Sequence, residues 1–427
     1  MSTSPILKIL FFINDFRDRD LWPFANVLSE KSGIQVYYLT TSQLSAEGVP
    51  KLCEQNHFDM VITADRVLKS EKTDRYFRSL PHQPIILEVI FNNTDEVLEN
   101  YGFEKINERL ESENAYLLLL DSLFQNKIAS LGISRTKLLS FGVYDRHIYH
   151  LHYFKLNRKA KRYFGWLNED SRTGTNSLLA FASQLKRGFY LRPKSIPILF
   201  LGECKPGIET HRIEEIQKLY FSNISAKNVL SASANFEADS NQQIEASAQK
   251  IKSLLDSKLQ SLEPSQIGHS VLSDYLLTNF RKFRRLHYVR RIKENFGKRF
   301  LLIGDDFLKL GLPAEPSNHQ MTEALYLRSK VAVDFGSACY DSSIYSRSSR
   351  IISSNSCLIQ LEQFDAKQVF KEAHDSTVFN SSESMLTRIE KTLESQKDRN
   401  ELMRQQFDIS KGANGWQASV DLFLGQF

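Results

Sequence analysis

The stretch ALYLRSKVAVDFGSACYDSSIYSRSSRIISSNSCLIQLE, residues 324–362, decides how the rest of the chain is read. Val331–Phe335 (VAVDF) and Cys357–Leu361 (CLIQL) are short apolar runs of the kind that form buried strands. Between them, Gly336-Ser337-Ala338 allows close backbone approach, and Asp341-Ser342-Ser343 predicts the N-cap of a helix. A helix N-terminus with hydroxyls, and with Arg347 nearby, can cradle a diphosphate, because unpaired N–H groups and a guanidinium both attract anionic oxygen. Ser-rich helix starts are also common as plain caps, and a single helical Arg usually faces solvent. Spacing alone leaves both readings open.

Outward from this segment the strand–helix alternation continues in both directions. Strands are expected at Ile6–Ile13, Ile34–Thr40, Phe58–Thr63, Pro84–Ile90, Ala115–Leu120 and Lys137–Phe141, with an amphipathic helix at Leu21–Lys31. A second series follows: Arg162–Leu167 and Ile198–Gly202 flanking a helix at Asn176–Leu185, then Arg299–Ile303 and the two strands quoted above. Short, continuously apolar strands separated by helices indicate parallel sheets covered on both faces. The fold class is therefore α/β, with two Rossmann-like, doubly wound domains facing across a cleft. The boundary is expected near 145–162, giving domains at 1–155 and 156–400 and a terminal apolar helix within 401–427. Residues 222–265, rich in Ser, Ala, Asn and Gln, read as an exposed loop that enters a helix near Ile244.

With 427 residues, 41% hydrophobic and 25% charged, the chain is long enough for two cores, and 29 Phe residues supply bulk for them. A net charge of +5, from 55 basic and 50 acidic residues, does not by itself indicate nucleic acid. Cys53, Cys204, Cys339 and Cys357 are widely separated, which argues against disulfides or zinc and for a reducing, cytoplasmic setting. The His-rich stretch HIYHLHYF, 147–154, lacks a supporting carboxylate, and no metal is expected. No apolar run reaches the roughly 18 residues that a membrane-spanning helix needs.

Several of these pieces resemble the donor half of GT-B-fold glycosyltransferases, closest to the CgeB-like (spore-maturation-protein-like) and family 4-like branches. The matching residues are Leu301-Leu302-Ile303-Gly304-Asp305, then Tyr326, Ser329-Lys330-Val331-Ala332-Val333, Arg347-Ser348-Ser349-Arg350 and Cys357-Leu358-Ile359. Leu139–His147 (LSFGVYDRH) is similar to the stretch that ends the first domain, and Phe164-Gly165-Trp166 with Ile198–Gly202 to the opening of the second. The resemblance implies a nucleotide-sugar donor bound by the second domain, with Gly202, Gly304, Asp305, Gly336, Ser337, Ser342, Ser343, Arg347 and Arg350 near it. It also implies a glycan or lipid-linked acceptor on the first domain, no resident cofactor, and a last helix that returns to the first domain. Two positions depart from the pattern. Arg350 stands where the family has a Glu that holds the donor ribose, and Asn355 where it has Gly. An Arg cannot accept a hydrogen bond, so ribose recognition must differ or activity is lost. A non-catalytic glycan- or protein-binding module and a sugar-nucleotide epimerase stay open as alternatives.

Two carboxylates are candidates for catalysis. Asp15 follows the first strand and could act as a general base or simply cap a helix; Glu88 lies on an apolar strand, where a carboxylate is costly unless paired. Residues 278–300 (TNFRKFRRLHYVRRIKENFGKRF) place Phe280, Phe283, Leu286, Val289 and Ile292 at helical spacing amid nine basic residues. That pattern predicts a helix with one buried face and one basic face. The basic face is either simply solvated or drawn to an anionic membrane surface; nucleic acid is not expected.

Overall fold

A computed structural model describes residues 7–13, 21–40, 56–63, 82–90, 106–112, 114–143, 196–204, 266–316, 322–337, 342–354, 356–409 and 412–427. Strands apolar on both faces must be sandwiched between helices, and this chain satisfies that requirement twice. The first sheet contains β1 (Leu7–Ile13), β2 (Ile34–Thr40), β3 (Met60–Thr63), β4 (Ile85–Ile90), β5 (Ala115–Leu119) and β6 (Thr136–Leu138). Their order is β2-β1-β3-β4-β5-β6, and every pairing is parallel. The described helices of this domain are α1 (Trp22–Glu30), α2 (Ile106–Ser112) and α3 (Ser122–Ser130).

The second sheet is built from β7 (Ile196–Leu201), β8 (Phe300–Ile303), β9 (Ser329–Asp334), β10 (Cys357–Leu361) and β11 (Val378–Phe379), in the order β11-β10-β9-β7-β8, again wholly parallel. Around it lie α4 (Gln266–Phe296), α5 (Asp305–Lys309), α6 (Thr322–Arg328), α7 (Ser346–Ser353), α8 (Ala366–Phe370), α9 (His374–Thr377), α10 (Ser382–Glu394) and α11 (Gln396–Asp408). The last helix, α12 (Trp416–Leu424), packs on the first domain. These are two Rossmann-like α/β domains, each built on a parallel sheet. Among the described residues, no helix is long and apolar enough to cross a membrane.

Strands Ile34–Thr40 and Cys357–Leu361 coincide with the sequence expectation residue for residue. The sixth expected strand ends at Leu138 rather than Phe141. From Leu139 onward the chain turns to meet the C-terminal segment: the Val143 N–H donates to the Asn414 carbonyl at 2.8 Å, and Phe141 packs on Trp416 with ring centroids 6.0 Å apart. Val378–Phe379 is too short a strand to leave a period in the sequence. The expected elements at Arg162–Leu167 and Asn176–Leu185, the stretch 222–265 with its helix near Ile244, Cys53, Cys339 and the His-rich stretch lie outside the described residues.

Two glutamines finish the sheets where no strand is available. Backbone groups left unpaired at a buried sheet edge are costly. On β10, Gln406 of α11 accepts from the Leu358 N–H at 3.0 Å and donates to its carbonyl at 2.7 Å. On β6, Gln426 treats Leu138 in the same way, at 2.8 and 2.7 Å. Each primary amide stands in for a peptide group. Gln426 lies just beyond α12, whose Phe423 meets Phe24 of α1 at 5.0 Å.

The return of α12 depends on Gly142. A Cβ there would lie 2.4 Å from the Trp416 backbone nitrogen and 2.7 Å from the Gly415 carbonyl carbon. Backbone cannot yield as a side chain does, so Gly142→Ala is expected to cost roughly 3 kcal/mol. Its urea unfolding midpoint should fall accordingly, and an unchanged midpoint would show that the C-terminal segment is not held where described.

Candidate functional site

In an open parallel sheet the ligand crevice lies at the carboxyl ends of strands where the winding direction reverses. In the second sheet that point is β7, whose neighbours are β8 on one side and β9 on the other. All three of these strands end in glycine: Gly202 after β7, Gly304 after β8 and Gly336 two residues after β9. Gly202 and Gly304 touch through their backbones, and a Cβ on Gly304 would stand 2.1 Å from the Gly202 carbonyl oxygen. A Cβ on Gly202 would stand 2.9 Å from Nη2 of Arg347. Gly336 has φ +74°. The glycines therefore open the space into which the arginine reaches.

Asp334 ends β9 and is fully buried. Its Oδ1 accepts from the Tyr345 hydroxyl, from Arg347 Nη1 at 3.1 Å and from the Gly336 N–H at 3.1 Å. Its Oδ2 is buried with no hydrogen-bond partner among the described residues. A second guanidinium enters from α4: Arg285, 6% exposed, donates to the Glu203 carbonyl at 2.6 Å and to the Gly336 carbonyl at 2.9 Å. Arg285 thus ties the turn after β7 to the turn after β9.

The titration of the cluster follows from its burial. Burial pushes the Tyr345 hydroxyl well above its ordinary value, with the Asp334 carboxylate acting in the same direction. Arg285 is lowered, first by burial and then by the like charge of Arg347. For Arg347, burial acts downward, but the Tyr345 hydroxyl and Asp334 carboxylate outweigh it and hold the guanidinium above its ordinary value. Among the described residues, the buried Arg285 and the partly buried Arg347 thus share one buried carboxylate, which leaves an excess of positive charge within this cluster. Such an excess is costly without an anion and stabilising with one. Nearby, burial pushes the Cys204 thiol up to about 11, so it stays protonated.

The helix after β9 begins later than the sequence predicts. The N-cap of α7 is Tyr345, not the Asp341–Ser343 stretch. Ser348 Oγ accepts the Tyr345 N–H at 2.9 Å, and the Ser342 and Ser343 amides are drawn to carboxylates elsewhere. The Ser342 N–H and hydroxyl donate to Asp121 Oδ2 of the first domain at 3.0 and 2.6 Å. The Ser343 N–H donates to Asp365 Oδ1 at 2.7 Å. Burial, the largest influence, raises Asp365 above the ordinary carboxylate value.

The structure brings Gly202, Gly304, Gly336, Ser337 and Arg347 together at the strand ends, with Asp305 exposed at the start of α5. Ser342 and Ser343 lie in the loop that enters α7, and Arg350 is half-buried one turn beyond Arg347. Glu88 is apart from them, buried on β4 of the first sheet in register with Thr63 and Leu117. Asp15 lies outside the described residues. The basic helix is less one-sided than its sequence implies. Arg284 and Arg285 point into the protein, and Arg290, Arg291, Lys298 and Arg299 remain at the surface.

Next to the Ser342 loop, a cavity of about 770 Å³ opens between the domains. Ser122 and Ser140 line it from the first domain, and Asp365, Lys371, Arg404 and Asp408 from the second. Phe364, 82% exposed, stands at its wall.

No protein-family model matches the sequence, and no curated protein matches it either. Among solved structures, the chain is similar to a T4 phage β-glucosyltransferase in complex with UDP-glucose, at 11% identity and TM-score 0.44, covering 98% of this chain and 99% of that one. It is similar to Anabaena HepE in complex with UDP-glucose at 10% identity and TM-score 0.42, with coverage of 98% and 99%. It is also similar to the UDP-GlcNAc 2-epimerase of Neisseria meningitidis bound to UDP-GlcNAc, at 9% identity and TM-score 0.39, again covering 98% and 99%.

Proposed function

We propose that the chain is a glycosyltransferase that moves a sugar from a nucleotide-diphosphate donor to a glycan or lipid-linked acceptor. The observation that carries this reading is the excess buried positive charge of Arg285 and Arg347 over Asp334 at the β7/β9 reversal point. A donor diphosphate there would meet the glycine turns, which admit close backbone approach, and the Arg347 side chain, which keeps 18% of its surface open. Catalysis would rest on stabilising the leaving diphosphate by fixed positive charge in a dry site, which requires no metal. The acceptor would enter by the cavity beside Ser342, where exposed Phe364 offers an aromatic face and Asp365 and Asp408 offer hydroxyl acceptors. The CgeB-like branch, a role in polysaccharide biosynthesis, and a cytoplasmic setting with peripheral membrane contact through the surface arginines of α4 belong to the same reading.

One residue favours a second reading. Arg350 replaces the carboxylate that would hold a donor ribose, as in a binding module that has lost turnover. A thermal-shift panel of UDP, GDP, CMP and TDP sugars tests the transferase reading first. A ligand at a hundred times its Kd adds about 2.7 kcal/mol, so one nucleotide class should raise the unfolding midpoint by roughly 5–10 °C. Silence across the panel would sink the transferase reading and leave the binding module ahead. Release of free sugar or glycosylated acceptor would then separate the two.

A further inference from the structure

We propose that Asp121, a residue of the first domain, is a positioning residue for the second domain's anion site. It holds the loop between β9 and α7 and thereby couples that site to the packing of the two domains. The coupling to ligand rests on the nucleotide reading; the positioning of the loop does not.

Asp121 follows β5 and is 2% exposed. Its two oxygens have separate tasks. Oδ1 caps α3, accepting from the Leu123 and Phe124 N–H groups at 2.8 and 3.1 Å. Oδ2 accepts both the N–H and the hydroxyl of Ser342. The very next amide, Ser343, is held by Asp365 of its own domain. Consecutive peptide groups are thus gripped by carboxylates from opposite domains, four and five residues before Arg347. Beyond the arginine, Ser349 of α7 donates to the Gly142 carbonyl of the first domain. The segment carrying Tyr345 and Arg347 is therefore attached to the first domain on both sides. Hydrogen bonds to a buried carboxylate are the strong kind, and removing the acceptor leaves the Ser342 donors unsatisfied.

The plain alternative is that Asp121 serves only as a helix cap. Asparagine separates the two roles, because it caps helices as well as aspartate does but has one acceptor oxygen. That oxygen cannot serve α3 and Ser342 together, and the amide NH2 would face donors. In Asp121→Asn, amide hydrogen exchange across residues 342–349 should rise at least tenfold, while β10 stays as protected as before. The affinity for UDP and GDP, measured by calorimetry well below the unfolding midpoint, should fall about tenfold. Unchanged exchange in the loop of a folded variant overturns the inference. Faster exchange with unaltered nucleotide affinity overturns the coupling. If the wild-type chain binds neither nucleotide nor any other member of the four-nucleotide panel, the transferase reading fails and the exchange result still decides the role of Asp121. Should Asp121→Asn not fold, Ser342→Ala carries the same exchange test, since it removes the hydroxyl bond and leaves the α3 cap intact.

Discussion

Replacing Arg347 with alanine is expected to lower the unfolding midpoint by about 10 °C and to abolish the stabilisation that a nucleotide gives. Asp334 is fully buried, and Arg347 is its ion-pair partner at 3.1 Å. Removing one member of a buried pair strands the other charge, at a cost of about 3–5 kcal/mol, and for domains of this size each kcal/mol is worth roughly 2–4 °C. The Tyr345 hydroxyl and the Gly336 N–H would still reach Oδ1 without cancelling the charge, and Arg285 acts on it only from a distance, its Nη1 and Nη2 donors being spent on the Glu203 and Gly336 carbonyls. A companion variant divides stability from binding. Arg347→Met with Asp334→Asn removes both charges, and replacing a whole pair is commonly near neutral. The double variant should recover most of the midpoint but lose most of the nucleotide response, since the charge it keeps, Arg285, is buried and committed to the Glu203 and Gly336 carbonyls. Thermal denaturation with and without ligand checks both. A single variant that melts like wild type would mean that Asp334 does not depend on Arg347. A double variant that binds as tightly as the wild type would remove Arg347 from the anion site.

Gly304→Ala is expected to destabilise the second domain by at least about 3 kcal/mol. Its φ of +156° is readily adopted only by glycine, and the added Cβ would stand 2.1 Å from the Gly202 carbonyl oxygen. Neither neighbour can yield easily, because the Gly202 N–H is bonded to the Ile303 carbonyl and the Gly304 N–H to that of Glu315. Gly297→Ala serves as the control: it also has positive φ, +50°, but nothing lies within 4 Å of its Cβ position. That change should cost only about 1–2 kcal/mol, the strain of the left-handed backbone. Guanidinium unfolding curves of the two variants measure the difference. Equal losses would mean that the close approach of β7 and β8 ends is not what selects glycine at 304.

The longer strands are legible because each carries its own hydrophobic signal. IQVYYLT and CLIQL are apolar along their whole length, and no partner is needed to recognise them. Other features could have been read and were not. The argument that singles out Glu88, a carboxylate on an apolar strand, applies equally to Asp334 in VAVDF, and there the structure gathers Arg347, Tyr345 and Gly336 around it. The pattern of residues 278–300 identified a helix with a buried face, yet assigned its arginines to solvent. Arg285 lies four and seven residues before Val289 and Ile292, so helical spacing places it on the face that buries them. Charge alone concealed it.

The sequence by itself determined two parallel α/β domains, and it located the glycine-rich strand end around Gly336 and the arginine after it. Those features are local: apolar periodicity, turn chemistry and spacing all act within a few residues. Only the tertiary structure decided what the polar groups do. Asp121 and Ser342 are 221 positions apart, and Arg285 and Gly336 are 51 apart. A hydrogen bond across such separations exists because two sheets and their helices have packed, and it leaves no period in the chain. For that reason the glycine turn and Arg347 could be read from residues 324–362, whereas the charge balance around them and their attachment to the first domain could not.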